Sequence, residues 1–353
     1  MRETIRVPKG SNAAAVQAST ETSGRVRPPC FAAIDLGTNN CRMLLARADA
    51  SDDNNENSAN TGGIHVIDGF SRIVRLGEGL AASGQLSEEA IERAIKALKV
   101  CAQKIRSRGV KGTRAIATEA CRQAANGDDF LKRVEAETGL TMTIISAVDE
   151  AELTLSGCAP LLGTDHPKAL IFDIGGGSTE LLWIDNASGT PKALDILSLP
   201  IGVVGLAEEF GKDALTSEKF EHIVARVAQA LAPFEDRHNI TAEIDAGRVH
   251  MLGTSGTLTT LGAIYLDLAR YDRSRVDGLS IRMESIDAIC GKLIGLDFDA
   301  RHQHPCIGPG RADLMVMGCA IITAICRRWP ASHLTAADRS IREGLLMQMI
   351  AAS

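Results

Sequence analysis

Asp173-Ile174-Gly175-Gly176-Gly177-Ser178-Thr179-Glu180 fixes the architecture of this chain, because a second stretch repeats its pattern. Ala33-Ile34-Asp35-Leu36-Gly37-Thr38-Asn39-Asn40 also carries an aspartate, an apolar residue, glycine and then small hydroxyl or amide side chains. Each aspartate ends an apolar run, and a further apolar run follows, at 43–46 and at 181–184. Two apolar segments around a glycine-containing turn are typical of a β-hairpin. The repeat therefore predicts two related halves that face one cleft.

The turn of such a hairpin can hold phosphate. Its exposed backbone N–H groups ring the oxygens, and glycine, which lacks a Cβ, lets them approach closely. The predicted phosphate-binding residues of the two turns are Gly37, Thr38, Asn39, Gly175, Gly176, Gly177 and Ser178. Asp35, Asp173 and Glu180 offer carboxylate oxygens beside these turns, and such oxygens suit Mg²⁺. The alternative is that these three acids are ordinary hairpin residues.

The composition indicates a globular chain with two domains. It has 353 residues, of which 45% are hydrophobic and 23% charged. The net charge of −6 argues against nucleic acid as a partner, and no apolar run is long enough to span a membrane. Nine cysteines without a CxxC pair favour the reducing cytosol. Residues 1–29 lack the apolar core of a secretory signal and predict a disordered tail, with organelle targeting as the alternative.

Strands alternate with helices through both halves, which predicts an α/β protein. The first domain is predicted to comprise 30–147 plus 336–353, and the second 148–335. Residues 336–351 are predicted to form a last helix that packs back on the first half. A polar loop is predicted at 49–63, and a loop with two arginines at 70–80. We expect the two domains to move relative to each other as the cleft closes on substrate.

Six motifs in this order resemble those of the exopolyphosphatase/guanosine pentaphosphate phosphatase family. Besides the two hairpins, they are Ala117-Thr118-Glu119-Ala120-Cys121-Arg122-Gln123-Ala124, Asp149-Glu150-Ala151, Gly253-Thr254-Ser255-Gly256-Thr257 and Arg311-Ala312-Asp313. The resemblance implies duplicated ribonuclease H-like halves, as in the actin-like ATPase and sugar-kinase superfold, around a central cleft. We expect the short, two-domain form, because longer members carry a further helical domain where this sequence stops.

The resemblance implies roles for two further residues. Glu150 is implied as the general base that takes a proton from the attacking water. Arg122 is implied as a planar fork for phosphate oxygens. On spacing alone, a solvent-facing acid at a helix start is the better interpretation of Glu150. Arg122 has its own alternative, an ion pair with Glu119 or Asp129.

Gly253, Thr254 and Ser255 follow a predicted strand and open a predicted helix, so their amides can meet a phosphate or a nucleotide. The alternative is a tight turn with an N-cap. The chain also departs from the family pattern. The first hairpin has Asn40-Cys41 where serine and phenylalanine are usual, and Glu152 stands where arginine is frequent. These departures put substrate choice and the charge balance around the base in question.

The resemblance implies a Mg²⁺-dependent phosphohydrolase that releases the terminal phosphate of inorganic polyphosphate or of guanosine pentaphosphate. The sequence does not separate these substrates, because both present the same terminal anhydride. Two alternatives stay open: a non-catalytic sensor of polyphosphate or guanosine alarmones, and an ATP-dependent kinase of the same superfold. Family members also pair, which implies a homodimer, although no apolar stripe in the sequence carries it.

Overall fold

The computed structural model describes residues 28–48, 63–211, 216–308 and 310–353. The predicted tail, apart from residues 28 and 29, lies outside the described residues. So does the predicted polar loop, apart from residue 63. The statements that follow concern the described part of the chain.

The first half is built on a five-stranded sheet in the order β3-β2-β1-β4-β5. Its strands are β1 (Cys30–Leu36), β2 (Asn40–Ala48), β3 (Ile64–Ile73), β4 (Gly112–Ala117) and β5 (Thr143–Ile144). The first three form an antiparallel meander, and β4 and β5 run parallel to β1. The predicted loop at 70–80 is wrong at its beginning, because β3 stays paired with β2 as far as Ile73.

The second half repeats this topology in a six-stranded sheet, in the order β10-β11-β9-β6-β7-β8. Its strands are β6 (Lys168–Ile174), β7 (Thr179–Asp185), β8 (Lys192–Leu199), β9 (Val249–Thr254), β10 (Leu279–Arg282) and β11 (His333–Ala337). Again a three-stranded meander is followed by two parallel strands, and β10 adds an antiparallel edge. The two sheets confirm the predicted α/β fold with duplicated halves.

Helices cover both faces of each sheet. In chain order they are α1 (Leu80–Ser83), α2 (Glu88–Arg108), α3 (Glu119–Gln123), α4 (Gly127–Thr138), α5 (Ala147–Cys158), α6 (Val203–Phe210), α7 (Ser217–His238), α8 (Ile240–Asp245), α9 (Gly256–Tyr265), α10 (Arg273–Val276), α11 (Met283–Gly295), α12 (Phe298–Gln303), α13 (Ala312–Arg328) and α14 (Ile341–Ala351). The helix predicted from residue 336 starts late. Residues 336 and 337 belong to β11, because they pair with β9 in the second sheet. None of the described helices is long and apolar enough to cross a lipid bilayer.

Helices α5 and α14 lie between the two sheets and join them. Leu345 and Leu346 of α14 pack on the first sheet, whereas Ala151 and Leu155 of α5 pack on the second. The two helices cross at very short range: a Cβ on Gly344 would collide with the backbone carbonyl of Leu153. This contact fixes the separation of the halves, so the hairpin turns of both sheets open onto the same space.

Candidate active site

The two hairpin turns have the same backbone geometry. The amide of Gly37 donates to the carbonyl of Asn40 at 2.9 Å, and the amide of Gly175 donates to the carbonyl of Ser178 at 2.9 Å. The strand registers also correspond, since the aspartate of each hairpin has a partner on the returning strand: Asp35 faces Arg42 and Asp173 faces Glu180. The duplication predicted from sequence therefore extends to single hydrogen bonds.

The tips of the two turns touch each other across the cleft. A Cβ built on Gly176 would lie 3.0 Å from the Thr38 Cβ and 3.2 Å from the Asn39 nitrogen. A Cβ on Gly177 would lie 2.9 Å from the Thr38 hydroxyl oxygen. A Cβ at 176 or 177 would force Thr38 or the Asn39 backbone to shift, so glycine fits both positions best. The turns thus form one continuous rim of backbone.

Most residues predicted for the site line the cleft under this rim. They are Asp35, Gly37, Thr38, Asn39, Glu150, Asp173, Gly175, Gly176, Gly177, Ser178, Glu180, Thr254 and Ser255. Arg122 and Gly253 do not line it. The fold therefore brings together residues that are far apart in sequence, and it separates two from the rest.

Glu150 lies at the start of α5 and projects into the cleft. Ser146 and Asp149 form a capping box there, with the Ser146 hydroxyl accepting from the Asp149 amide at 3.1 Å. Glu150 is only 8% exposed, so the solvent-facing alternative is wrong. Burial raises its pKa well above the usual range, and the nearby charge of Glu180 raises it further, against the opposing charge of Arg122.

The cleft gathers three further carboxylates, of which Glu180 is buried and the two aspartates are half-buried. Burial, followed by the charge of Glu180, raises the pKa of Asp173 to about 7, although the Ser340 hydroxyl donates to it at 2.8 Å. Burial likewise raises the pKa of Asp35 and of Glu180, and Ser198 donates to Glu180 at 2.9 Å. Acids held this close resist ionisation unless a cation compensates them.

This cluster bears on the predicted Mg²⁺. Among the described residues, no three histidine, cysteine or acidic side chains converge closely enough to enclose a metal ion by themselves. Mg²⁺ keeps several waters and binds through one or two carboxylates plus phosphate oxygens. In their charge and their oxygen ligands, the carboxylates suit such an ion.

Arg122 is engaged by protein groups. Its Nε donates to Glu119 at 2.9 Å, and its Nη1 donates to the Ile145 carbonyl at 2.7 Å. Both terminal nitrogens reach Glu150 Oε2 at 3.3 Å. In this structure the guanidinium orients Glu150 and does not face the cleft. The ion pair with Glu119 was the alternative interpretation of Arg122. In the structure this pair is partly buried rather than exposed.

Gly253 is also placed outside the cleft, in the core. A Cβ there would lie 2.5 Å from both Leu258 and Phe172, so the glycine serves packing. Ser255 accepts from the Leu258 amide at 2.9 Å and caps α9, while Thr254 donates to the Arg339 carbonyl at 3.0 Å. The interpretation of this motif as a turn with an N-cap therefore describes its side chains, although Thr254 and Ser255 also line the cleft.

Two arginines that sequence reasoning did not assign to the site line the cleft at the start of α9. The nearest atoms to a Cβ built on Gly256 are guanidinium atoms of Arg311, at 3.5 Å, and of Arg42, at 3.7 Å. Within the described chain neither arginine forms an ion pair. Burial, followed by the charge of Arg42, lowers the pKa of Arg311. Two neighbouring cations that make no ion-pair contact with the described residues, beside a helix N-terminus, favour an anion.

The pairing of the first hairpin could have identified Arg42 as a site residue, because Arg42 lies directly opposite Asp35. No comparable signal existed for Ser340 and Arg342, which reach the cleft from the start of α14. Glu119, which also lines the cleft, was expected only as a partner of Arg122.

Fold and site define a two-domain protein of the actin-like ATPase fold with a glycine-rimmed, carboxylate-lined cleft between its halves. Residues 56–352 match the model of the Ppx/GppA phosphatase family, and the chain belongs to this family. Exopolyphosphatase 2 of Mycobacterium tuberculosis is 29% identical over 328 residues, covering 90% of this chain and 98% of the relative.

Solved structures show the same likeness. The Aquifex aeolicus member of the Ppx/GppA family superposes with a TM-score of 0.73 at 26% identity, covering 92% of this chain and 98% of its own. An exopolyphosphatase from Cytophaga hutchinsonii superposes with a TM-score of 0.79 at 22% identity, covering 92% and 98%, and supports the fold alone.

Proposed function

We propose that this protein is a Mg²⁺-dependent exopolyphosphatase that releases terminal orthophosphate from inorganic polyphosphate. The observation that carries the proposal is Glu150, buried in the cleft beside two glycine turns whose amides suit a phosphate. The relative named as an exopolyphosphatase supports the choice of substrate. The chemistry requires charge neutralisation, an aligned water and an acceptor for its proton.

Each requirement has candidate groups. Amides of the two turns hold the terminal phosphoryl group, apart from those of Gly37 and Gly175, which already bond within their turns. Asp35, Asp173 and Glu180 would hold Mg²⁺ through their carboxylate oxygens and through water. The ion, when bound, neutralises charge that develops on the phosphoryl oxygens. A water attacks the terminal phosphorus, its proton passes to Glu150, and the bond from phosphorus to the bridging oxygen breaks. The shortened chain leaves with that oxygen.

Arg42 and Arg311 are suited to the phosphates that follow the terminal one. A second depression adjoins them and is also lined by Tyr271, Arg273 and Asp338. Its arginines offer further cationic contacts to a polyanion longer than the cleft, although Arg273 also pairs with Glu343 at 2.7 Å. Guanosine pentaphosphate presents the same terminal anhydride, and we propose its conversion to the tetraphosphate as a second activity of the same groups.

The test is phosphate release from polyphosphate and from guanosine pentaphosphate, side by side, with and without Mg²⁺. Glu150→Gln keeps the size of the side chain and removes the base, so kcat is expected to fall by about 10²- to 10⁴-fold while substrate binding persists. Glu152→Gln is the matched control, because Glu152 lies on the same helix but is exposed. Full turnover by Glu150→Gln would overturn the mechanism.

The same assays decide the alternatives. Tight binding of polyphosphate by the wild type without turnover, under varied metals, would identify a sensor. Consumption of ATP that depends on an added sugar would identify a kinase.

Cytosolic location remains part of the proposal, and it agrees with nine free thiols, of which eight are buried. The homodimer stays a prediction, tested by sedimentation of the full chain.

A further inference from the structure

Residues 74–79, called here the bridging loop, form backbone hydrogen bonds with the first phosphate turn. The loop follows β3, and the amides of Val74 and Arg75 both donate to the Asn39 carbonyl, at 2.8 and 3.0 Å. The Gly77 amide donates to the Thr38 carbonyl at 3.0 Å. These bonds occupy the Thr38 and Asn39 carbonyl groups and tie the backbone of the turn to the loop. The position of the first turn therefore depends on the bridging loop.

The same loop reaches across to the second half of the molecule. Arg75 Nη2 lies 2.9 Å from Asp313 Oδ2, at the start of α13. The Asp313 side chain is only 5% exposed and that of Arg75 is 28% exposed, so the pair is partly shielded from solvent. The Gly79 amide donates to Glu208 of α6 at 2.8 Å. One short segment thus bonds to the first turn and to two helices of the other half.

Arg75 adopts a backbone conformation that its residue type rarely takes. Its φ is 46°, in the left-handed region that favours glycine. Arg93 fixes this geometry, because it donates to the Val74 carbonyl at 2.8 Å and to the Arg75 carbonyl at 3.1 Å. An unfavourable backbone that is held from several sides indicates a role for the side chain that it directs.

We propose that Arg75 is a positioning residue, which clamps the two halves through Asp313 and thereby sets the first phosphate turn for substrate. The clamp lies outside the cleft itself, since neither side chain lines it. The clamp concerns the same site as the proposed function, and its expected effect on turnover rests on that function. Breaking it frees the bridging loop, and the Thr38 and Asn39 backbone moves with it.

The test compares wild type with Arg75→Ala, Asp313→Asn and the double variant. Amide hydrogen exchange is measured without substrate over 37–41 and 74–80, and kcat/KM is measured with polyphosphate. Each single variant is expected to speed exchange in both segments by about tenfold and to lower kcat/KM by a similar factor. The double variant is expected to be no worse than the poorer single variant, because the two residues act as one contact.

Three further variants separate a clamp from a general structural role. Arg226→Ala removes an exposed ion pair with Glu209 inside the second half and is expected to match wild type. Arg75→Lys keeps the charge and is expected to restore part of the protection. Arg75→Gly relieves the left-handed backbone but removes the side chain, so it is expected to lose protection as Arg75→Ala does.

Unchanged exchange at 37–41, additive losses in the double variant, or wild-type protection in Arg75→Gly would each overturn the clamp. Exchange needs no turnover, so the clamp and the proposed function fail separately. If exchange changes as expected while the wild type releases no phosphate, only the proposed function is wrong.

Discussion

The two hairpins have the same backbone geometry and differ in the pair of side chains at one register position. In the first, Asp35 lies opposite Arg42; in the second, Asp173 lies opposite Glu180. Both turns are braced through their carbonyl groups, the second by the amides of Val203 and Val204 at the start of α6. The two turns are therefore equivalent in their backbone. The register position makes the second hairpin acidic and places Arg42 beside the aspartate of the first, which fits the roles proposed above: carboxylates for Mg²⁺ and Arg42 for phosphate.

The largest expected effect tests the acidic side of this comparison. Glu180→Gln removes one of the carboxylates proposed to hold Mg²⁺, and kcat is expected to fall by about 10²- to 10³-fold. The Mg²⁺ concentration for half-maximal activity should rise as well. A magnesium titration of phosphate release checks this. Wild-type dependence on Mg²⁺ in the variant would contradict the proposed division of roles.

A steric prediction tests the contact between the turns. Gly176→Ala places a Cβ against Thr38 and the Asn39 backbone, and overpacking of this kind destabilises proteins by about 1–3 kcal/mol. Gly37→Ala is the matched variant in the other turn, because its Cβ meets nothing closer than 3.7 Å. Its free energy of unfolding should change by at most about 0.5 kcal/mol. Denaturant unfolding measures both, and equal losses would contradict the asymmetry.

The basic side of the comparison predicts a smaller effect. Arg42→Gln removes a guanidinium proposed to bind phosphate, so KM for polyphosphate is expected to rise by about tenfold, the equivalent of a charged hydrogen bond. The magnesium requirement should stay that of the wild type. Steady-state kinetics at saturating Mg²⁺ give KM. If Arg42→Gln shifts the magnesium titration instead, the two hairpins do not have separate tasks.

The smallest effect concerns the first residue after each turn. This position is Cys41 in the first hairpin and Thr179 in the second. The buried Thr179 hydroxyl donates to the Ile201 carbonyl at 2.7 Å, so Thr179→Val should destabilise by about 1 kcal/mol. A hydrogen bond with the Cys101 thiol, followed by burial, raises the pKa of the Cys41 thiol. Because thiols are weak hydrogen-bonding groups, Cys41→Val should cost less than Thr179→Val. Thermal unfolding of both variants checks the contrast, and a loss confined to the Cys41 variant would contradict it.

Local sequence patterns were sufficient to predict most of the fold. The hairpins, their turns and the alternation of strands and helices follow from apolar spacing and glycine, which act over a few residues. Errors occurred where a distant partner decides the outcome. Residues 336 and 337 are strand because β9 pairs with them, and β3 reaches Ile73 because β2 continues beside it.

The candidate site divides in the same way. Sequence motifs named Glu150 and the acids of both hairpins, and all of them line the cleft. Arg122 was expected to face phosphate, but Glu119, Ile145 and Glu150 engage its donors. Their relative positions depend on how β4, β5 and α5 pack, which motif spacing does not encode.

The sequence by itself determined the duplicated hairpins, because hydrogen bonding and glycine geometry between neighbours in the chain are sufficient to define them. Only the tertiary structure decided which charges meet. Arg42 lies beside Arg311, and Arg75 pairs with Asp313, because two sheets are held at a fixed separation by α5 and α14. Electrostatic interactions depend on distance and burial, and for residues this far apart in sequence both quantities exist only once the chain has folded.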